Sequence, residues 1–316
     1  MSDNGSRTCP PVLVITGMHR SGTSLTSSLC QSGGLFIGQR MNPGLPGHDV
    51  PHYYEDIEFV GFHERTLFSN GRSSAGYDII ATPPQVSETA AEEARSLVSA
   101  RHLLGVPWGW KDPRTVLFLD FWAQELPEAK FLFVFRKPWE VADSLFRRGD
   151  VGALLGNEPL RALKLWQHYN ELIRHFAEAH PSRVLVREIT QIVASPDRVF
   201  ADIRSRLWIP AADPQPLYRK DNLQAAEAPI QECLVAMAAP ECLSLYAELQ
   251  RLAGVEPEPL GGDQSGGGPP MIERAFAAWA RSSAPPEVRE TKAPQKSDAI
   301  LPIGPEKLAE AANAVA

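Results

Sequence analysis

The stretch that decides the fold is VLVITGMHRSGTSLTSSL, at residues 12–29. Its first five residues are apolar or β-branched and predict a buried strand, and the residues after Gly22 predict a helix that ends near Gly33 and Gly34. The first backbone N–H groups of a helix have no partner within it, and the helix dipole is positive there. The stretch therefore predicts a strand, loop and helix that together bind a phosphate group.

The loop differs at one position from the phosphate-binding loop of nucleoside triphosphatases. That loop reads G-x-x-x-x-G-K-[ST], and here Gly17 and Gly22 have the right spacing, but Thr23 stands in place of the lysine. The missing lysine would contact the β- and γ-phosphates. Three interpretations remain at this point: an altered triphosphate site, a site for another phosphorylated ligand, and a glycine turn that binds nothing.

Composition restricts the class of protein. The chain has 316 residues, 43% of them apolar and 22% charged, which predicts one soluble globular domain with a tail. A formal net charge of −7 argues against binding to nucleic acid. No apolar run is long enough to span a membrane, and the polar first residues lack the apolar segment of a signal peptide, so we expect a cytoplasmic protein. The spacing of the four cysteines predicts reduced thiols and no zinc site.

Two further apolar runs, at residues 131–135 and 183–187, also predict buried strands. Between them, apolar residues recur every three or four positions from residue 157 to residue 180, which predicts a helix with Asn157 as its N-cap and Pro159 in its first turn. Strands that alternate with helices predict an α/β fold with a central parallel sheet covered on both faces.

The chain divides by composition into three parts. We expect a flexible N-terminus at residues 1–11, one domain at residues 12–253, and a linker and tail at residues 254–316. The last part is rich in Pro, Gly and polar residues, so we expect it to be disordered apart from a short isolated helix at MIERAFAAWARS, residues 271–282.

The segment HRSGTSL, residues 19–25, resembles the 5′-phosphosulfate loop of the sulfotransferases that use 3′-phosphoadenosine 5′-phosphosulfate (PAPS). The resemblance implies a P-loop-type α/β fold and a site without a metal ion. It also implies that five consecutive residues surround the 5′-phosphosulfate, with Arg20 as the fixed positive charge; they are Arg20, Ser21, Gly22, Thr23 and Ser24.

A second segment, RKPWEVADSLFRR at residues 136–148, follows the strand at 131–135. Sulfotransferases bind the 3′-phosphate of PAPS with an arginine and a serine at this spacing, so the resemblance implies that role for Arg136 and Ser144. The alternative is that Arg136 pairs with Glu140 on a helix surface. The resemblance is weaker at residues 183–209, where Arg187 would lie beside adenine, and at residues 217–222, where Arg219 or Lys220 would contact the 3′-phosphate.

Sulfuryl transfer requires a base for the acceptor's proton and cations for the transferring group. In WGWKDPRT, residues 108–115, the resemblance implies that Lys111 contacts the transferring sulfate. It also implies that Glu55 is the general base, with His52, Asp56 and His63 as alternatives. We expect His19 to orient the loop or the substrate.

Three functions are therefore open: a PAPS-dependent sulfotransferase, a P-loop kinase or triphosphatase that requires Mg²⁺, and an inactive nucleotide-binding adaptor. The acceptor would present a hydroxyl or an amine and would be a small molecule, a glycan, a lipid or a peptide. Residues 42–54 and 70–85 are expected to shape its pocket. The sequence specifies neither the acceptor nor the oligomeric state.

Overall fold

The computed structural model describes residues 9–43, 52–147, 154–156, 158–214 and 229–257, and positions 275, 278 and 279. A four-stranded parallel sheet lies at its centre, with the strand order β4-β1-β5-β6. The strands are β1 Val12–Thr16, β2 Met41–Pro43, β3 His52–Asp56, β4 Trp108–Lys111, β5 Lys130–Phe135 and β6 Val184–Glu188. Strands β2 and β3 form a separate antiparallel pair.

Helices cover both faces of the central sheet. They are α1 Thr23–Ser32, α2 Ile57–Ser69, α3 Glu88–His102, α4 Leu119–Glu125, α5 Pro138–Arg147, α6 Pro159–Ala179, α7 Ile189–Ala194, α8 Pro196–Leu207, α9 Pro229–Ala238 and α10 Pro240–Leu252, with a 3₁₀ helix at Pro113–Phe118. The predicted α/β fold with a central parallel sheet is confirmed.

The side chains of the sheet alternate between two apolar clusters, as the period of two in a strand requires. Val12 and Val14 of β1 face the larger cluster, with helices α2 to α6 and α10, whereas Leu13 and Ile15 face the smaller one, with α1, α7 and α8. Strands β5 and β6 alternate in the same way. The sheet is therefore buried on both faces, which explains why β1 and β5 are nearly continuous apolar runs in the sequence.

The three predicted strands are present within one residue of their expected bounds, as β1, β5 and β6. The sequence did not predict β4, whose four residues WGWK contain a glycine and end in a lysine. The long helix is confirmed as α6, but its N-cap is Glu158, because Pro159 already occupies the first helical position. The predicted cap Asn157 lies outside the described residues.

The thiols agree with the sequence analysis. All four cysteines are free, and Cys30 and Cys242 are buried. Burial raises the pKa of each of these two thiols to about 12.

In the part of the chain that the structure describes, no helix combines the length and the apolar character needed to cross a membrane.

Gly109 allows β4 to lie close against β1. A Cβ atom at this position would be 1.8 Å from the carbonyl oxygen of Leu13, and that oxygen belongs to the backbone of the neighbouring strand, so it cannot move aside without disturbing the sheet. Since β4 ends at Lys111, the approach of β4 to β1 also determines where the Lys111 side chain lies.

We expect Gly109→Ala to lower the free energy of unfolding by about 1 to 3 kcal/mol, because the added methyl group must push two paired strands apart. The matched control is Gly61→Ala in α2, where a Cβ atom would meet only the flexible end of the Arg65 side chain. That substitution is expected to be neutral or to stabilise the helix by up to about 1 kcal/mol. Urea denaturation of both variants measures the difference, and equal effects would contradict the assigned role of Gly109.

Candidate active site

The predicted phosphate loop joins the carboxyl end of β1 to the first turn of α1. The N-cap of α1 is Gly22, in the left-handed region with φ 93°, and no side chain caps the helix. The first turn of α1 carries no acidic residue. The positive end of the helix dipole and its first N–H groups therefore remain available to an anion.

Two glycines allow the loop to lie this close to the sheet. A Cβ atom at Gly17 would be 2.0 Å from the carbonyl oxygen of Val134 in β5, and one at Gly22 would be 2.4 Å from the side chain of Ile189. Arg20 also has a positive φ of 68°, an uncommon conformation for a residue with a side chain. The loop is thus held in one strained shape by its packing against β5 and α7.

The Ser21 hydroxyl is the clearest indication that the loop takes a ligand. Ser21 is fully buried, and its Oγ has no hydrogen-bond partner among the described residues. A buried hydroxyl without a partner costs free energy, so native proteins seldom retain one without a reason. A phosphate or sulfate oxygen at the start of α1 would accept the hydrogen bond of this hydroxyl.

Lys111 connects the loop to the expected general base. Its ammonium nitrogen Nζ donates to Ser24 Oγ at 3.1 Å and to Glu55 Oε1 at 2.6 Å. The other carboxylate oxygen of Glu55, Oε2, accepts a hydrogen bond from Asn42 Nδ2 at 2.8 Å. The structure therefore brings together three of the predicted site residues from α1, β3 and β4. Asn42 was not identified individually, although the sequence analysis placed its segment at the pocket.

The second predicted anion site lies next to the loop. Ser144 in α5 accepts a hydrogen bond from Arg20 Nε at 2.9 Å, so the two predicted sites are in direct contact. Arg136 Nε donates to Glu140 Oε2 at 2.6 Å, which is the pairing weighed as the alternative. Arg136 is nevertheless 7% exposed rather than on a solvated surface, and its backbone carbonyl accepts a hydrogen bond from Trp166 Nε1.

A buried polar network lies directly behind Lys111. Asp112 Oδ2 accepts from His63 Nδ1 at 2.8 Å, and its Oδ1 accepts from Arg114 Nη1 at 2.9 Å. Trp122 Nε1 donates to His63 Nε2 at 2.9 Å, so the histidine is neutral and carries its proton on Nδ1. The sequence analysis did not predict this network, because its members come from segments far apart in the chain.

The pKa values in this network follow from burial and charge. Burial lowers the pKa of His63 below its usual 6.5, and the opposing effect of Asp112 is smaller. Burial alone would raise the pKa of Asp112, but the charge of Arg114 and the hydrogen bond from His63 outweigh it and hold the pKa well below its usual range. Asp112 is therefore ionised and His63 neutral at physiological pH.

Arg114 joins the network to one wall of the cleft. Its Nε donates to the backbone carbonyl of Ser74 at 2.9 Å, and its Nη2 donates to Glu64 at 2.8 Å. In the same wall, the ring of Tyr77 packs against His19 of the phosphate loop, with centroids 4.6 Å apart. The cleft has a volume of about 250 Å³, and Glu55, Lys111, Arg20 and Tyr77 line it.

The alternative bases have other contacts. His63 is fully buried, and both of its ring nitrogens take part in the network behind Lys111. Asp56 is also fully buried; it caps α2 through the N–H of Glu58 and pairs with Arg101. The side chain of His52 lies outside the described part of the structure. Of the named candidates whose side chains are described, Glu55 alone is among the residues that line the cleft.

The weaker expectations for the nucleotide stay predictions. Arg187 is 6% exposed, and its guanidinium donates to Asp202 and to backbone carbonyl groups at Val186 and Ala253, so it is held inside the protein. Arg219 and Lys220 lie outside the described residues. Within the described residues, no cluster of three or more His, Cys, Asp or Glu side chains has the arrangement of a metal site.

Comparisons with known proteins place the chain in a family. A family model with the description "Sulfotransferase family" matches residues 11–213. Among solved structures, the sulfotransferase STF1 from Mycobacterium tuberculosis H37Rv is similar over 64% of this chain and 68% of its own, with 15% identity and a TM-score of 0.37. No curated protein matched the chain.

Two sulfotransferase domains are also similar. The domain from the olefin synthase of Synechococcus PCC 7002 has 15% identity and a TM-score of 0.38 over 86% of this chain and 94% of its own. The domain from the curacin biosynthetic pathway has 12% identity and a TM-score of 0.35, over 98% and 99% respectively.

The buried histidine generates a prediction about pH. The unfolded chain binds a proton on His63 near pH 6.5, whereas the folded chain binds it only at lower pH, so the free energy of unfolding is expected to fall as the pH drops from 7.5 to 5. The contribution of Asp112 stays nearly constant over this range, because its usual pKa of 3.8 and its lower folded-state pKa both lie below pH 5. Urea denaturation at several pH values measures the slope.

His63→Gln should be less stable but should have a smaller slope, because the amide keeps one donor and one acceptor and does not titrate. The control is His175→Gln on the exposed surface of α6, which should retain the slope of the unmodified protein. An unchanged slope in His63→Gln would show that the histidine is not held neutral.

Proposed function

This chain belongs to the sulfotransferase family, and we propose that it transfers a sulfuryl group from PAPS to a hydroxyl or an amine of an acceptor. The observation that carries the proposal is the position of Lys111, whose ammonium group contacts both the phosphate loop at Ser24 and the carboxylate of Glu55. A cation between an anion site and a base is what in-line transfer of a charged group requires.

The described residues fit the two phosphate ends of PAPS. The orphaned hydroxyl of Ser21 and the uncapped N-terminus of α1 would hold the 5′-phosphosulfate, together with Arg20, Gly22, Thr23 and Ser24. Arg136, just before α5, and Ser144, in its last turn, would hold the 3′-phosphate. When bound, the donor supplies the sulfuryl group and a nucleotide phosphate as leaving group.

In the proposed reaction, Lys111 stabilises charge during the transfer. An ammonium group has three donors, and the two described contacts, to Ser24 and Glu55, leave one for an oxygen of the transferring group. Lys111 is 2% exposed, and a charge acts more strongly in such a water-poor site than in solution. Arg20, in the same cleft, adds a second positive charge on the loop side.

In the proposed reaction, Glu55 accepts the proton of the acceptor group. Asn42 and Lys111 hold its two carboxylate oxygens in a fixed orientation, and the side chain lines the cleft. Transfer of the proton to Glu55 would leave the acceptor oxygen or nitrogen free to attack the sulfur atom.

Nucleotide binding provides the first test of the proposed function. The product nucleotide, 3′-phosphoadenosine 5′-phosphate, should raise the melting temperature by about 5 to 10 °C at roughly a hundredfold excess over its Kd. ATP with Mg²⁺ should give a much smaller shift, because it lacks the 3′-phosphate that Arg136 and Ser144 would bind. Differential scanning fluorimetry measures both shifts. A larger shift with ATP and Mg²⁺ would favour the kinase or triphosphatase alternative instead.

The role of Glu55 as the general base provides the second test of the proposed function. Glu55→Gln should reduce kcat by about 10² to 10⁴-fold, because the amide cannot accept the proton. Binding of 3′-phosphoadenosine 5′-phosphate should be retained within about twofold, since Glu55 does not belong to either anion site. The assay follows transfer from radiolabelled PAPS to a fraction of cell extract that supports turnover.

The control for this variant is Glu93→Gln on the exposed surface of α3, which makes the same chemical change away from the cleft and should leave kcat unchanged. Near-normal turnover of Glu55→Gln would contradict its role and move the base to His52, Asp56 or His63. No turnover by the unmodified protein with any fraction, despite nucleotide binding, would favour the adaptor alternative.

A further inference from the structure

Trp279 lies 66 residues beyond the end of the segment that matches the sulfotransferase family model, which is residue 213. It falls in the part of the chain where the sequence predicts a linker and tail. The structure nevertheless places Trp279 in the interior, with 4% of its surface exposed, as a member of the larger apolar cluster. Ala275, one helical turn earlier, packs against the same cluster.

The indole nitrogen of Trp279 contacts the helix that carries Ser144. Trp279 Nε1 donates a hydrogen bond to Asp143 Oδ1 at 3.4 Å, and Asp143 is itself 7% exposed. The other oxygen of Asp143 pairs with Arg147 one turn later, at 3.0 Å. Asp143 therefore links a residue beyond the matched family segment to the C-terminal turn of α5.

Asp143 and Ser144 are consecutive residues of α5 and face different sides of it, because successive helical residues are turned by about 100°. Asp143 contacts Trp279, whereas Ser144 contacts Arg20 of the phosphate loop. Movement of α5 at its Trp279 side would thus displace Ser144 on the other side.

The first part of α5 is fixed by contacts from within the matched segment and α10. The Arg136 carbonyl, just before the helix, accepts from Trp166, and Trp139 in its first turn packs against Tyr246. Ser144 lies in the last turn, and helix ends are the parts that open most readily. The hydrogen bond from Trp279 to Asp143 therefore restrains the turn that carries Ser144.

We propose that Trp279 is a positioning residue for Ser144 and thereby sets the affinity of the site for the 3′-phosphate of the nucleotide. The proposal rests on the proposed function, since it assumes that Ser144 binds this phosphate. A serine hydroxyl contributes to phosphate binding only at the right distance and angle, and Trp279 keeps α5 where this geometry is met.

The test compares two nucleotides that differ only in the 3′-phosphate: 3′-phosphoadenosine 5′-phosphate and adenosine 5′-phosphate. In the full chain, Trp279→Ala should raise the Kd of the bisphosphate about tenfold, the loss expected for a hydrogen bond to a charged group, and leave that of the monophosphate unchanged. Isothermal titration calorimetry measures both. A residue that only stabilises the fold would affect the two nucleotides alike.

Trp279→Phe keeps the ring and removes the N–H, so it tests the contact to Asp143 with little risk to folding. Trp279→Phe should also raise the Kd of the bisphosphate alone, but by less than Trp279→Ala does. The matched control is Trp208→Phe, which changes a tryptophan that is 77% exposed at the end of α8 and should alter neither Kd.

A third variant, Ser144→Ala, removes the hydroxyl that Trp279 is proposed to position. If Trp279 acts through Ser144, Trp279→Ala should have no further effect on the bisphosphate in the Ser144→Ala background. Additive losses, equal losses for both nucleotides, or no loss in either Trp279 variant would each overturn the proposal. If Ser144→Ala itself leaves the preference for the bisphosphate intact, the assignment of the 3′-phosphate site in the proposed function fails instead, so the two failures are distinguishable.

Discussion

A buried ammonium group determines the arrangement of the candidate site. Burying the charge of Lys111 is costly unless partners compensate it, and here the partners are a carboxylate and a hydroxyl. These partners come from β3 and α1, so the requirement to satisfy one cation fixes the positions of two other elements. The close approach of β4 to β1 at Gly109 brings the cation to this point. The packing of the sheet and the positions of the site residues therefore depend on the same buried cation.

Lys111 and the next residue, Asp112, show that one short segment contributes both to the cleft and to the polar network behind it. Lys111 is directed to the cleft, whereas the next residue, Asp112, is directed away from it, to His63 and Arg114. Arg114 then extends the network to the wall that carries Tyr77. The cleft is thus supported from behind by hydrogen bonds between fully paired groups, which makes its shape rigid.

The sequence predicted those parts of the fold that depend on local patterns. Strands β1, β5 and β6 were predicted because each is a continuous apolar run, and the phosphate loop because its glycines have a recognisable spacing. Strand β4 was missed because WGWK is short and mixed in character. The contacts of Glu55 with Asn42 and Lys111 and the burial of Trp279 depend on segments far apart in the chain, so no local pattern could reveal them. The catalytic and binding roles of these residues remain predictions.

Two of the cations assigned to the site are engaged with carboxylates: Lys111 with Glu55, and Arg136 with Glu140. In a protein with a net charge of −7, this pairing means that the cleft attracts anions only weakly at long range. An ion that enters must share each of these two cations with a carboxylate. Inorganic sulfate or phosphate can offer a single anionic group in exchange, whereas a ligand with two linked anionic groups can meet both pairs at once. We therefore expect the two ion pairs to make the site prefer a ligand with two linked anionic groups to the simple anions that surround the protein.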